Sequence, residues 1–196
     1  MTLLHKKLIF LLAASLAVLA ALWGLQRLLQ VKDEQYFRRQ ADIAFTAGNW
    51  AGLREIALIW QRTEPRSALA VVAEGDALFR SGSFAEAIGV YERALSMEKG
   101  SAEVWARYGA SLFNSQRYAD ALRACRTSQQ ISPGFPEAIM CEGVVYAFTG
   151  ELDKLNQLAT ALNEKAQPLA GQLREVVREH ACRTQAARLG PEWCGR

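Results

Sequence analysis

The stretch ALAVVAEGDALFRSGSFAEAIGVYERALSMEKGS, Ala68 to Ser101, is followed without a gap by AEVWARYGASLFNSQRYADALRACRTSQQISPGF, Ala102 to Phe135. Laid one over the other, Gly75 meets Gly109, Phe84 meets Tyr118 and Ala87 meets Ala121, each pair 34 positions apart. A fixed period of this length is the mark of stacked supersecondary units, each of which buries its apolar face on the next. Such a chain acts through the surface that the stack builds.

Extending the register in both directions gives four blocks, 34–67, 68–101, 102–135 and 136–169. The eighth position holds Ala41, Gly75, Gly109 and Gly143, small residues that let two helices approach closely. At the fifteenth stand Gly48, Gly82, Gln116 and Gly150, placed between helices where a left-handed residue turns the chain. Trp50, Phe84, Tyr118 and Leu152 follow two residues later as bulky groups for the second helix. Pro65 and Pro133 close their blocks, where a helix must end.

The pattern resembles the tetratricopeptide repeat, a 34-residue helix–turn–helix with recurring Trp, Gly, Tyr, Ala and Pro positions. Trp105, Gly109, Tyr118, Ala121 and Pro133 carry the likeness in one block, and Gly75, Phe84, Ala87, Tyr91 and Ala94 in another. Block 136–169 matches moderately and block 34–67 least, with Trp60 where a small residue belongs, as expected of units that cap a stack. The resemblance implies an all-α, right-handed superhelical solenoid of about four repeats. Leu173, Val176, Val177 and His180 recur at helical spacing, so 170–196 reads as a capping helix and tail.

In proteins similar to this one, the first helix of each repeat lines a groove that takes a segment of another protein. Carrying those positions over gives Phe45, Phe79 and Phe113, with Phe148 one place further on, and around them Val72, Asp76, Arg80, Asn114 and Met140. An aromatic stripe edged by a few charges suits an apolar or amphipathic client segment. The Lys and Asn pattern that grips a C-terminal carboxylate is absent: its two positions hold Arg38 and Asp42, Val72 and Asp76, Ala106 and Ala110, then Met140 and Val144. Aromatics at helical spacing are also ordinary core, the plainer reading of the same residues.

Ahead of the repeats, residues 1–7 are short and basic, Leu8 to Leu25 carries no charge, and 30–33 reads as a linker. About 20 apolar residues span a bilayer, so 8–29 is expected to be a single transmembrane helix. A cleaved secretory signal ending near Val18-Leu19-Ala20 is the competing reading. The four cysteines are Cys125, Cys141, Cys182 and Cys194, and two disulfides among them would each contribute about 3 kcal/mol in an oxidising compartment. Three pairings are open. Anchor and cysteines together predict an inner-membrane, single-pass protein with its repeats in the periplasm. There it would be an assembly factor or scaffold for a pilus, secretion or cytochrome system. A cytoplasm-facing adaptor, and a small metal or redox factor built on Cys182, Cys194 and His180, are the alternatives.

Composition narrows the function classes. Half of the 196 residues are hydrophobic and the formal charge is +3 with both signs interspersed, which is a solvated surface and not a nucleic-acid footprint. Phosphate loops are missing, and His5 and His180 have no triad context, so no catalytic residue, cofactor or metal is assigned. A protein client is the expected partner. Nothing in the sequence fixes an oligomeric state.

Overall fold

The computed structural model describes residues 3–98, 101–165, 167–180, 182 and 189–194. Within these, side chains are described for 15–23 and from 34 onward, apart from 163–165 and 180. The elements are α1 (Leu3–Thr46), α2 (Trp50–Thr63), α3 (Ala68–Arg80), α4 (Phe84–Met97), α5 (Ala102–Asn114), α6 (Tyr118–Ile131), α7 (Pro136–Thr149), α8 (Leu152–Lys165), α9 (Gln167–His180) and α10 (Pro191–Cys194). No strand occurs among the described residues. Starts at 50, 84, 118 and 152 and at 68, 102 and 136 keep the 34-residue spacing throughout.

Local chemistry sets these boundaries. Ser67 and Ser101 cap α3 and α5, each hydroxyl accepting from a backbone N–H three residues on, Ala70 and Val104, at 3.3 Å. Between the helices of each pair the chain turns through positive φ: Gly48 at 67°, Gly82 at 82°, Gln116 at 61° and Gly150 at 77°. There, backbone N–H groups reach back to the last turn, as Ser83 does to Leu78 and Arg117 to Leu112, both at 2.9 Å.

The chain divides into two compact units, Met1–Asn49 and Trp50–Arg196. In the second, successive helices pack on one another, and the first helices of neighbouring repeats also touch, α3 with α5 and α5 with α7. Val71, Leu78, Tyr91 and Leu95 form one core layer, Ile88, Leu112, Ala121 and Val145 the next. A third joins Ile139, Tyr146 and Leu155 to Leu173, Val177, Leu189 and Trp193. The small eighth-position residues work as expected. A Cβ on Gly75 would lie 2.6 Å from the Tyr91 ring, and one on Gly143 would lie 2.3 Å from Leu173.

The first unit corrects the N-terminal reading. Its helix α1 runs unbroken through 30–33, where a linker was expected. Among the described residues, no helix is long and apolar enough to cross a membrane. Of the stretch 8–29, side chains are described only for Ser15–Trp23, well short of the roughly 20 residues that a span requires, and the others lie outside the described residues. The transmembrane helix, and with it the single-pass inner-membrane placement with periplasmic repeats, is therefore withdrawn. Within α1, Leu16, Leu19, Leu22 and Trp23 are exposed, and Ala41 and Ala44 are buried.

Candidate partner-binding surface

Phe79 closes the last turn of α3 and Phe84 opens α4, so the tight turn between them brings their rings edge to face at 5.5 Å. The next repeat does the same with Phe113 and Tyr118, whose centroids are 5.6 Å apart. Phe148 of α7 then joins both, 5.0 Å from Phe113 in a T-shaped contact and 6.0 Å from Tyr118. These three rings form one cluster across the joint between the third and fourth repeats. Phe79, Phe113 and Phe148 are each half-buried, so one side supports the core and the other meets solvent. Edge-to-face contacts of this kind hold such rings in place and contribute about 0.5–1.5 kcal/mol each beyond burial. Phe45 is half-buried as well and belongs to the first unit.

The polar residues assigned to this surface are partly engaged within the fold. Asp76 accepts from the Tyr91 hydroxyl at 2.7 Å and from Arg107 at 2.5 Å, and Arg107 also pairs with Glu103. Burial pushes the Asp76 carboxyl above its usual range, and the Arg107 charge and the Tyr91 bond only partly offset it. The Tyr91 hydroxyl is pushed up in turn, by burial first and then by Asp76. Asn114 Nδ2 donates to Ala110 O of its own helix at 2.8 Å. The Arg80 guanidinium lies 5.9 Å from the Trp50 ring centroid, a cation–π distance. Val72 and Met140 are half-buried against the first and third core layers, and Ala106 and Val144 are buried. What remains open is an aromatic and aliphatic strip with Arg80 and Asn114 at its edge.

Two polar networks escaped the sequence reading. Gln61 Nε2 donates to Glu74 at 2.9 Å while Arg93 pairs with the same carboxylate at 2.6 Å. Two repeats later, Gln129 donates to Glu142 at 2.5 Å, beside Tyr146 and Arg126. A Gln and a Glu recurring two repeats apart were visible in the sequence as a signal of this pairing. The cysteines pair Cys125–Cys141 and Cys182–Cys194, resolving the three open pairings. Cys182 and Cys194 thus bind each other, which removes both thiolates that the metal reading needed. Elsewhere, α2 and α3 enclose an open hollow of about 450 Å³ between Trp50, Arg54, Glu55, Leu58 and Ser81, with no nucleophile–base pair among them.

Comparison with known proteins agrees with this architecture. The tetratricopeptide repeat family matches residues 72–136. An inactive tetratricopeptide-repeat-containing thioredoxin, TTL3 of Arabidopsis thaliana, is 24% identical over 119 residues, 61% of this chain and 17% of that protein. The chain thus spans about a sixth of that relative's length. Among solved structures, MamA (41-end) of Desulfovibrio magneticus RS-1 superposes with a TM-score of 0.62 at 19% identity, covering 80% of this chain and 90% of that one. The first tetratricopeptide domain of Spaghetti (RPAP3), bound to the HSP90 peptide SRMEEVD, gives 0.53 at 17% identity, covering 67% and 94%. Residues 72–136 match the tetratricopeptide repeat family, and the described helices of the second unit form an all-helical solenoid of that kind.

Proposed function

We propose that the chain is a non-enzymatic scaffold that holds an apolar or amphipathic segment of a client protein on the strip formed by Phe79, Phe113 and Phe148. Tetratricopeptide repeats imply protein–protein interaction, and the structural neighbour with a bound HSP90 peptide is one case of it. The observation that carries the finer reading is the row of half-buried rings on consecutive first helices, fixed by edge contacts and partly open to solvent. Preset aromatic anchors lose little conformational entropy on binding. Recognition of an acidic C-terminus is disfavoured, because Asp76 is negative and already bonded to Tyr91 and Arg107.

Asn114 supplies the test, since it is exposed beside Phe113 and supports no core contact. Random peptides displayed against the full chain should enrich apolar, aromatic-rich sequences. Asn114→Trp should then weaken their binding at least about tenfold, or roughly 1.4 kcal/mol, with melting unchanged. Enrichment of acidic C-terminal peptides, or binding indifferent to that substitution, would sink the proposal.

A further inference from the structure

We propose that the Cys125–Cys141 disulfide is a redox-controlled lock on the joint between the third and fourth repeats, opened by a dithiol reductant. Its effect on client capture rests on the reading above, because the joint it locks carries the Phe113–Tyr118–Phe148 cluster.

The position of the bond within the repeat is what singles it out. Each small eighth-position residue of the second, third and fourth repeats receives a neighbouring side chain. Gly75 takes the Tyr91 ring, Gly143 takes Leu173, and Gly109 takes the disulfide. A Cβ on Gly109 would lie 2.4 Å from Cys125 Sγ and 3.3 Å from Cys141 Sγ. Cys125 occupies the place in its repeat that Tyr91 holds in the one before. An irreversible filler thus becomes a reducible one at a single joint. The bond also links different helices, α6 to α7, and so crosses from one repeat to the next. Between the second and third repeats, Asp76 accepts from Tyr91 of its own repeat and pairs with Arg107 of the next, contacts that no reductant alters.

Accessibility sets the order of events. Cys125 is fully buried, whereas Cys141 is half-buried. A reductant thiolate therefore attacks the Cys141 sulfur, the bond between the two cysteines breaks, and the Cys125 sulfur leaves with the electron pair. The second thiol of the reductant then displaces Cys141. The two cysteines end as thiols, the dithiol ends as a disulfide, and its two protons pass to the cysteine sulfurs. Two unbonded thiols need more room than a bonded pair, and the Gly109 backbone closes that side of the slot. The yielding direction is α7 away from α5 and α6, and Phe148 travels with α7.

Hydrogen exchange on the full chain reads this without any client, so the lock and the docking strip fail separately. In the Cys182→Ser/Cys194→Ser variant only the proposed lock remains. Adding dithiothreitol should speed amide exchange across 136–149 at least about tenfold while 68–97 changes by less than about twofold and helix content holds. Unchanged exchange, or equal loss of protection in every helix, would overturn the lock. Should that variant not fold, graded dithiothreitol on the unaltered chain, with alkylation mapped by mass, gives the same decision. Exchange in 136–149 must then follow alkylation of Cys125 and Cys141. If it follows Cys182 and Cys194 instead, the inference is wrong.

Discussion

Gln116 is a residue held where its side chain is a burden. Its φ of 61° is matched by Gly48, Gly82 and Gly150 at the same place in the other repeats. A left-handed L-residue costs about 1–2 kcal/mol, and glycine relieves this at some cost in unfolded-state entropy. Gln116→Gly is therefore expected to stabilise the chain by up to about 1 kcal/mol in urea unfolding, and a loss would show that the side chain does something here. The turn was legible because spacing alone placed Gln116 in a glycine column. Asp76 shows the opposite case. Its column predicted a groove residue, yet Tyr91 and Arg107 reach it from other helices, and a repeat alignment carries no signal of such reach. Its raised carboxyl has a stability consequence with a definite sign. The folded chain holds the proton more tightly than the unfolded one, so this contribution is full below the unfolded pKa and is lost as pH rises through the folded one. Relative to Asp76→Asn, the natural chain should gain stability as pH falls through that window. Urea midpoints from pH 7 to pH 3 that run parallel for the two would refute it.

At the scale of the element, each joint between repeats carries its own polar pair, and the Gln–Glu pair recurs at the first and third. Gln61 meets Glu74 at the first, Asp76 meets Arg107 and Glu92 meets Tyr108 at the second, and Gln129 meets Glu142 at the third. Helix boundaries were plain in the sequence because Gly, Ser and Pro act locally. The joints were not, because they depend on two residues from different repeats. Glu74 is nearly buried while Arg93 is half-exposed, so the ion pair itself is screened and the Gln61 bond matters more. Glu74→Ala is expected to cost about 1–3 kcal/mol by removing the acceptor that Gln61 and Arg93 share, although Gln61 keeps its bond to Ala70 O. Adding Gln61→Leu should return part of that loss, since both partners of the bond are then removed while Arg93, half-exposed, turns to water. A double-mutant cycle measures it. Additive costs would mean that the two side chains are not coupled.

At the largest scale, the second unit behaves as a line of layers, each supported by the next, and α9 supports the last of them. Leu173 and Val177 at helical spacing pointed to a helix, and α9 places both in the last layer. The depth of that packing was not legible, because nothing in the sequence shows that Leu173 fills the space left by Gly143. Both Leu173 and Val177 are fully buried in the layer that also holds Ile139, Tyr146 and Leu155. Leu173→Ala therefore removes a large side chain from a slot that a glycine backbone cannot fill, and it should cost about 2–5 kcal/mol. In a quasi-one-dimensional stack the damage stays near its source, since each repeat contacts only its neighbours. Limited proteolysis of the variant should cut first within 136–165, leaving a fragment that contains 50–131, while the natural chain resists under the same conditions. Cleavage that begins in α3 or α4 would show that the second unit unfolds as a single block. In that case the apparent independence of its two ends, on which a local redox lock also relies, would be lost.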